Sequence, residues 1–321
     1  MHQTALDTFA SASAIAAAAV SAAAVFAAAS RAPATIRATE SDLRDHSSWC
    51  ASVGADPQTA EAAAAYLAQL AAAGAATATV SRRASTLRAT FPAVAASAVV
   101  AAVLKGIRKT NGTRPHRQAD PLLLPDLARL SAACPSSLAG KRDRALLLLC
   151  WWTAMRESEA VAVTTADLQA DPLGRGYSLC IRRSKTDQTG EGETVAVAAR
   201  PSQPELCPVL ALQTWLAAAA IAEGPIFRPV NRHQQVQPAA LSADAVDGIL
   251  QAACARAALP TSYSGHSLRA GFVTECALQG IDAATIARTT RHRDLRTVQR
   301  YVRIADAFTA SAAPRLVLRA A

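Results

Sequence analysis

The sequence predicts a mainly helical chain with one small β-sheet, divided into a helical first domain and an α+β second domain. Three observations predict it. Alanine is about a quarter of the 321 residues and favours helix more than any other residue. Apolar residues recur at helical spacing between capping and breaking residues along most of the chain. Only two strand-like runs occur, and they flank a single turn-rich segment in the second half. Composition sets the outer bounds. Hydrophobic residues make up 51% of the chain, which argues against global disorder. The 33 Lys and Arg against 24 Asp and Glu give a net charge of +9, so the expected partner is a polyanion, either nucleic acid or an anionic membrane surface.

The elements follow in order. Residues 1–30 form an Ala-rich, low-complexity extension with no charge from Thr8 to Ser30. Alanine is only marginally apolar and no Lys or Arg precedes the run, so neither a membrane span nor a signal peptide is expected. Residues 31–109 read as a bundle of four helices. The first begins at Ser41 as N-cap, with Asp42 and Asp45 in its first turn and Trp49 on its apolar side. The second runs from Gln58 to Ala73 and stops at Gly74. The third runs from Thr77 to Thr90 and stops before Pro92, and the fourth runs from Ala96 to Lys109 and fades at Asn111-Gly112. Residues 110–120, rich in Gly, Pro and basic residues and without apolar periodicity, read as a linker.

The second domain spans residues 121–321. After an opening stretch from Pro121 to Leu130, helices are expected at Lys141–Ala154, Glu157–Val163, Pro208–Ala222, Ser242–Ala258, His266–Gln279 and Asp282–Thr289. Strands are expected at Ser178–Arg183 and Thr194–Ala199, around the turn-rich Thr186–Glu193. Seven scattered cysteines, odd in number and never at CxxC spacing, exclude a disulfide scaffold or a zinc ribbon. They read as reduced, mostly buried thiols of a cytoplasmic protein.

The first domain's charge is one-signed over a long interval. Between Glu61 and Asp120 there is no acid, while Arg82, Arg83, Arg88, Lys105, Arg108, Lys109, Arg114 and Arg117 all fall there. Such a stretch reads as a surface that tracks phosphates; acids brought in from elsewhere in space would make it an ordinary solubilising face.

No phosphate-binding glycine loop, zincin motif or serine-hydrolase elbow is present. Four short constellations stand out. Arg156 and Glu159 lie in Met155-Arg156-Glu157-Ser158-Glu159, after a very apolar run, and a guanidinium there needs a partner; a purely structural ion pair satisfies the same pattern. Lys185 sits at the mouth of the expected hairpin, where a lysine is ordinarily just solvated. His266 and Arg269, three residues apart at a helix N-terminus, form a candidate anion site helped by backbone N–H groups. His292 lies between Arg291 and Arg293, and Tyr301 between Arg300 and Val302-Arg303; the ordinary role of such a tyrosine is to cap the core.

Taken in order, these residues resemble the tyrosine recombinases, also called phage-type integrases. The likeness covers residues 31 to about 305 and includes the preceding bundle, which resembles the family's SAM-like core-binding domain. The resemblance implies an N-terminal helical core-binding domain followed by an α+β tyrosine-recombinase catalytic domain. It implies Tyr301 as nucleophile, Arg156 and Arg269 as ligands of the scissile phosphate, His266 and His292 completing the pocket and Lys185 as general acid, while Glu159 is the supporting residue by its i,i+3 spacing from Arg156. Duplex DNA is the implied partner, clamped between two domains with four protomers on two sites, and the partly apolar Ala305–Leu318 tail is a candidate for docking on a neighbour. Two positions depart from the family pattern. Thr290-Arg291-His292 stands where Leu-Gly-His is common, although glycine is the easiest residue in a left-handed helix exit. Ala270 stands where many members have His.

The chemistry accounts for these residue types. Phosphodiester cleavage builds charge on the non-bridging oxygens, and a planar guanidinium fork meets it well. A tyrosine with an ordinary pKa near 10 needs neighbouring cations and a proton acceptor, for which His266 is the candidate. With two arginines and two imidazoles, neither a metal nor another cofactor is expected, and no acidic cluster suits magnesium. The transient 3′-phosphotyrosyl bond conserves the phosphodiester energy, so no ATP is required. The alternatives are DNA relaxation of the type IB topoisomerase kind and a non-catalytic DNA-binding protein of the same fold.

Overall fold

The structure, a computed structural model, describes residues 19, 21, 33–113, 119–182, 192–292, 294–296 and 298–299. Two compact units divide the chain, Met1–Gln118 and Ala119–Ala321.

In the first unit, α1 (Pro33–Val53), α2 (Ala60–Ala72), α3 (Thr77–Thr90), a single-turn α4 (Pro92–Ala95) and α5 (Ala98–Asn111) enclose a core of Leu67, Val80, Leu87, Val94, Val100 and Leu104. The boundaries have local causes. Thr59 caps α2 by accepting the Ala62 N–H, Ser97 caps α5 through the Val100 N–H, and Pro92 opens α4 at a position whose N–H has no helical partner. Gly74 leaves α2 at φ +84°, a conformation that side chains rarely adopt.

The expected helix start at Ser41 is corrected. Helix α1 begins at Pro33, and Ser41 lies inside it. Asp42 and Asp45 do not serve a first turn but reach across to the neighbouring helices. Buried Asp42 accepts from Arg82 and from the Thr86 hydroxyl (3.0 Å), and Asp45 accepts from Arg83 and from the Tyr66 hydroxyl (2.9 Å). His46, next to them and fully buried, stacks edge-on against Tyr66 and is held below the ordinary imidazole range by burial.

The second unit holds α6 (Leu124–Ala132), α7 (Leu138–Trp152), α8 (Glu157–Ala162), a three-stranded sheet, α9 (Pro208–Ala218), α10 (Ala243–Arg256), α11 (Gly265–Leu278) and α12 (Ala283–Thr290). The antiparallel sheet has the order β1 (Leu168–Ala170), β2 (Gly176–Ile181), β3 (Glu193–Ala198), with Leu168 opposite Leu179 and Leu179 opposite Val195. The two expected strands are present, each beginning and ending one or two residues earlier. The three-residue β1 was not expected, being too short to show alternation.

Helix α7 is central. Its Leu146–Leu149 run and Trp151 are buried, and it packs chiefly against α9 and α11. Where the chain passes over α11, the Leu122 N–H donates to the Ser267 carbonyl (3.0 Å) and the Leu122 carbonyl accepts from the Trp151 indole (2.8 Å). A Cβ on Gly271 would come within 1.8 Å of that carbonyl, so only glycine fits. All seven cysteines are free thiols, five of them buried. No helix among the described residues is long and apolar enough to cross a membrane.

Candidate active site

The ends of α7, α11 and α12 converge in the second unit, and the candidate cations gather there. After α7 the chain reverses through Ala154, at φ +48°, and places Arg156 at the start of α8. The Arg156 side chain is 18% exposed, and its Nη1 donates to Glu159 Oε1 at 2.5 Å. The backbone N–H of Arg156 donates to the other carboxylate oxygen, Oε2, at 3.0 Å. That same oxygen also accepts from Arg291 Nη2 at 2.6 Å. One carboxylate, 2% exposed, thus serves two guanidiniums. Burial alone pushes the Glu159 carboxyl up, but the charge of Arg291 and the hydrogen bonds from Arg156 more than offset it, and the group titrates below its ordinary value.

Arg269, buried on α11, is held by backbone at both ends of its fork. Nη1 donates to the Ala154 carbonyl and Nη2 to the Thr290 carbonyl, the open ends of two other helices. Nη2 also lies 3.3 Å from His292 Nε2. The other ring nitrogen of His292, Nδ1, is 2.5 Å from Thr290 Oγ1, whose hydroxyl donates back to the Ile286 carbonyl at 2.8 Å. This chain of donors assigns the proton to Nδ1 and leaves the Nε2 lone pair facing Arg269. Burial, then the charges of Arg269, Arg156 and Arg291, and finally His266, push the His292 pKa down to about 4. The ring is therefore neutral at pH 7, with an unprotonated nitrogen inside a cationic pocket.

His266, the second residue of α11, is exposed and near enough to His292 to influence it. At the N-terminus of α11 two of the first backbone N–H groups are already engaged. The Gly265 N–H donates to Asp247 (2.7 Å) and the Ser267 N–H to the Ser264 carbonyl (2.7 Å). Ala270, at the position where His was the family expectation, is buried. Lys185 and Tyr301, and the Ala305–Leu318 tail, lie outside the described residues.

Sequence reasoning missed three contributors. Arg291 takes the left-handed conformation (φ +57°, ψ +41°) that glycine would take, so the turn into His292 is kept. Its side chain was not anticipated as a second partner of Glu159. Thr290 orients His292, and Glu193, the first residue of β3, lies 3.4 Å from Arg291 Nε. Only the break in the Leu-Gly-His pattern pointed toward this corner. Among the described residues no three His, Cys, Asp or Glu side chains come together to hold a metal ion.

The candidate DNA-contact residues of the first unit divide into two groups. Arg82 and Arg83 are tied to Asp42 and Asp45 of α1, and Arg83 also meets the Tyr66 hydroxyl. Arg88 is half-buried, and its Nε has no hydrogen-bond partner among the described residues. Lys105, Arg108 and Lys109 share one face of α5, are exposed, and form no ion pair with any described residue. Arg114 and Arg117 lie outside the described residues.

Comparison with known proteins gives the family. The sequence pattern of the Phage integrase family matches residues 122–307. An integrase/recombinase xerD homolog from Selenomonas ruminantium is 36% identical over 299 residues, which cover 89% of this chain and 86% of the relative. A structure of Lambda Integrase bound to DNA matches with a TM-score of 0.61 at 17% identity, covering 88% of this chain and 93% of that one. A lambda integrase tetramer bound to a Holliday junction matches with a TM-score of 0.57 at 17% identity, over 84% and 72% of the two chains. At these identities the structural likeness concerns the fold. With the family pattern covering more than half of its length and a close relative matched almost end to end, the chain belongs to the phage integrase family.

Proposed function

We propose that this protein is a site-specific DNA recombinase that cleaves and rejoins duplex DNA through a 3′-phosphotyrosyl intermediate on Tyr301. The observation that carries the reading is the fixing of Arg269 by two helix-end carbonyls beside His292, with Arg156 fixed on Glu159. Both forks are preorganised before any ligand arrives, as stabilisation of a phosphorane-like transition state requires.

In this reading Arg156 and Arg269 meet the non-bridging oxygens of the scissile phosphate. The Tyr301 oxygen attacks phosphorus as its proton passes to His266, the bond to the 5′-oxygen breaks, and Lys185 protonates that leaving oxygen. A 5′-hydroxyl from a second duplex then attacks the phosphotyrosine, and the same steps run in reverse. His292, neutral in the free protein, gains a compensating anion when phosphate binds, which favours its protonation and a hydrogen bond to phosphate. The exposed Lys105, Arg108 and Lys109 contact DNA backbone, and four protomers assemble on two sites.

The test uses DNA recovered from the flanks of the gene, placed twice on a supercoiled plasmid. The reading predicts exchange between the two copies, in EDTA and without ATP. Relaxation of any supercoiled plasmid, with no recombinant product, would identify a topoisomerase-like activity instead.

A further inference from the structure

Arg291 combines an awkward backbone with a buried side chain that meets two acids. A non-glycine residue at positive φ is uncommon, yet here the guanidinium turns inward and is only 3% exposed. It makes three contacts. Nη2 donates to Glu159 (2.6 Å), Nη1 donates to the Thr153 carbonyl (3.3 Å), and Nε faces the Glu193 carboxylate at 3.4 Å. Thr153 and Glu159 flank Arg156, and Glu193 opens β3, the strand that follows the segment containing Lys185. Among the described residues, glycine at this position would leave Glu159 with one cation and Glu193 with none.

We propose that Arg291 is a positioning residue, which holds Arg156 in its phosphate-binding position through Glu159 and fixes the start of β3 to the same charge cluster. Arg291 itself is too deeply buried to meet the phosphate. Arg156 and Arg291 balance the carboxylates of Glu159 and Glu193, so the buried cation is compensated and Arg269 adds the cluster's net positive charge. The inference rests on the phosphate-binding role of Arg156 given above.

The test compares the unaltered full chain with Arg291→Gly, Arg291→Lys, Glu159→Gln and the Arg291→Gly/Glu159→Gln double variant, in single-turnover cleavage of a nicked duplex. Each is run on a normal scissile phosphate and on a neutral methylphosphonate, which removes the charge that Arg156 meets. Arg291→Gly should bind DNA within about threefold of the unaltered chain but cleave the normal phosphate about 10- to 100-fold more slowly, the scale of a misplaced catalytic group. On the methylphosphonate that deficit should shrink to about threefold or less, because the mispositioned group is no longer needed. The double variant should be no slower than the slower single variant. Arg291→Lys should fall between the unaltered chain and Arg291→Gly, and it carries the substrate comparison if the glycine variant does not fold. Equal cleavage by the unaltered chain and both Arg291 variants, an equal deficit on both substrates, or full additivity with Glu159→Gln would each overturn the positioning role alone. An unaltered chain that never forms a covalent adduct would overturn the recombinase reading and this proposal together.

Discussion

Glu159→Gln is the perturbation whose cost follows most directly from the geometry. The carboxylate is 2% exposed and accepts from two guanidiniums, at 2.5 Å and 2.6 Å, and from a backbone N–H at 3.0 Å. Glutamine keeps the shape and one acceptor oxygen, so the Arg156 N–H stays satisfied. The charge is lost, and among the described residues buried Arg291 is left with Glu193 at 3.4 Å as its one acid. Removing one member of a buried ion pair costs about 3–5 kcal/mol, and the retained acceptor places this case near 3 kcal/mol. That is a large share of a domain stability of about 5–15 kcal/mol. Urea unfolding followed by tryptophan fluorescence measures it, since Trp151, Trp152 and Trp215 all lie in the second unit. The pH dependence has a definite sign. The folded-state pKa of Glu159 is depressed, so its stabilisation is complete above the unfolded value near 4.5 and is lost as pH falls through the lower folded value. The gap between the two proteins should therefore be widest at neutral pH and close below pH 4.5. A variant within 1 kcal/mol of the unaltered protein at pH 7, with no change on acidification, would refute the two-guanidinium arrangement.

Two further outcomes are expected. In DNA-free protein the His292 ring should titrate near pH 4 by NMR. Its depressed folded value means the neutral ring's stabilisation is present above 6.5 and is lost as pH falls toward 4, at most about 3 kcal/mol and less to the extent that water reaches the ring. A midpoint at 6 or above would contradict the buried, cationic surroundings of the ring. In salt titrations of DNA binding, alanine at Lys105, Arg108 or Lys109 should each lower the slope of log K against log salt by about one. Arg82→Ala should leave the slope nearly unchanged and instead destabilise the first unit, because Arg82 is spent on Asp42; equal slope losses at all four positions would contradict the division between cations paired with α1 and those with no ion pair among the described residues.

How much of this was legible in the sequence depended on how local each cause is. The helix over Thr77–Thr90 and the helix starts near Gln58, Ser242 and Asp282 follow from neighbouring residues and agree with the structure within small shifts. The start of α1 was misread because Asp42 and Asp45 look like first-turn acids, while their partners Arg82, Arg83 and Tyr66 are tens of residues away. The same contacts explain why a stretch without acids is only partly a free cationic surface: the acids come from another helix. In the pocket, the Arg156–Glu159 pair is a matter of i,i+3 spacing and was visible. The Arg291–Glu159 pair spans 132 residues and was not. Glycine is the easiest residue at the left-handed turn before His292, yet Arg291 takes that conformation, with its side chain meeting Glu159 and the Thr153 carbonyl.

The most direct measurement of the central claim is covalent adduct formation by the unaltered chain and by Tyr301→Phe on a nicked suicide duplex carrying the target site. The account predicts that both bind the duplex with similar affinity, that the unaltered chain becomes joined to the 3′-phosphate with release of a free 5′-hydroxyl, and that Tyr301→Phe forms no adduct at all. Adducts of equal yield in the two proteins would contradict the assignment of Tyr301 as nucleophile.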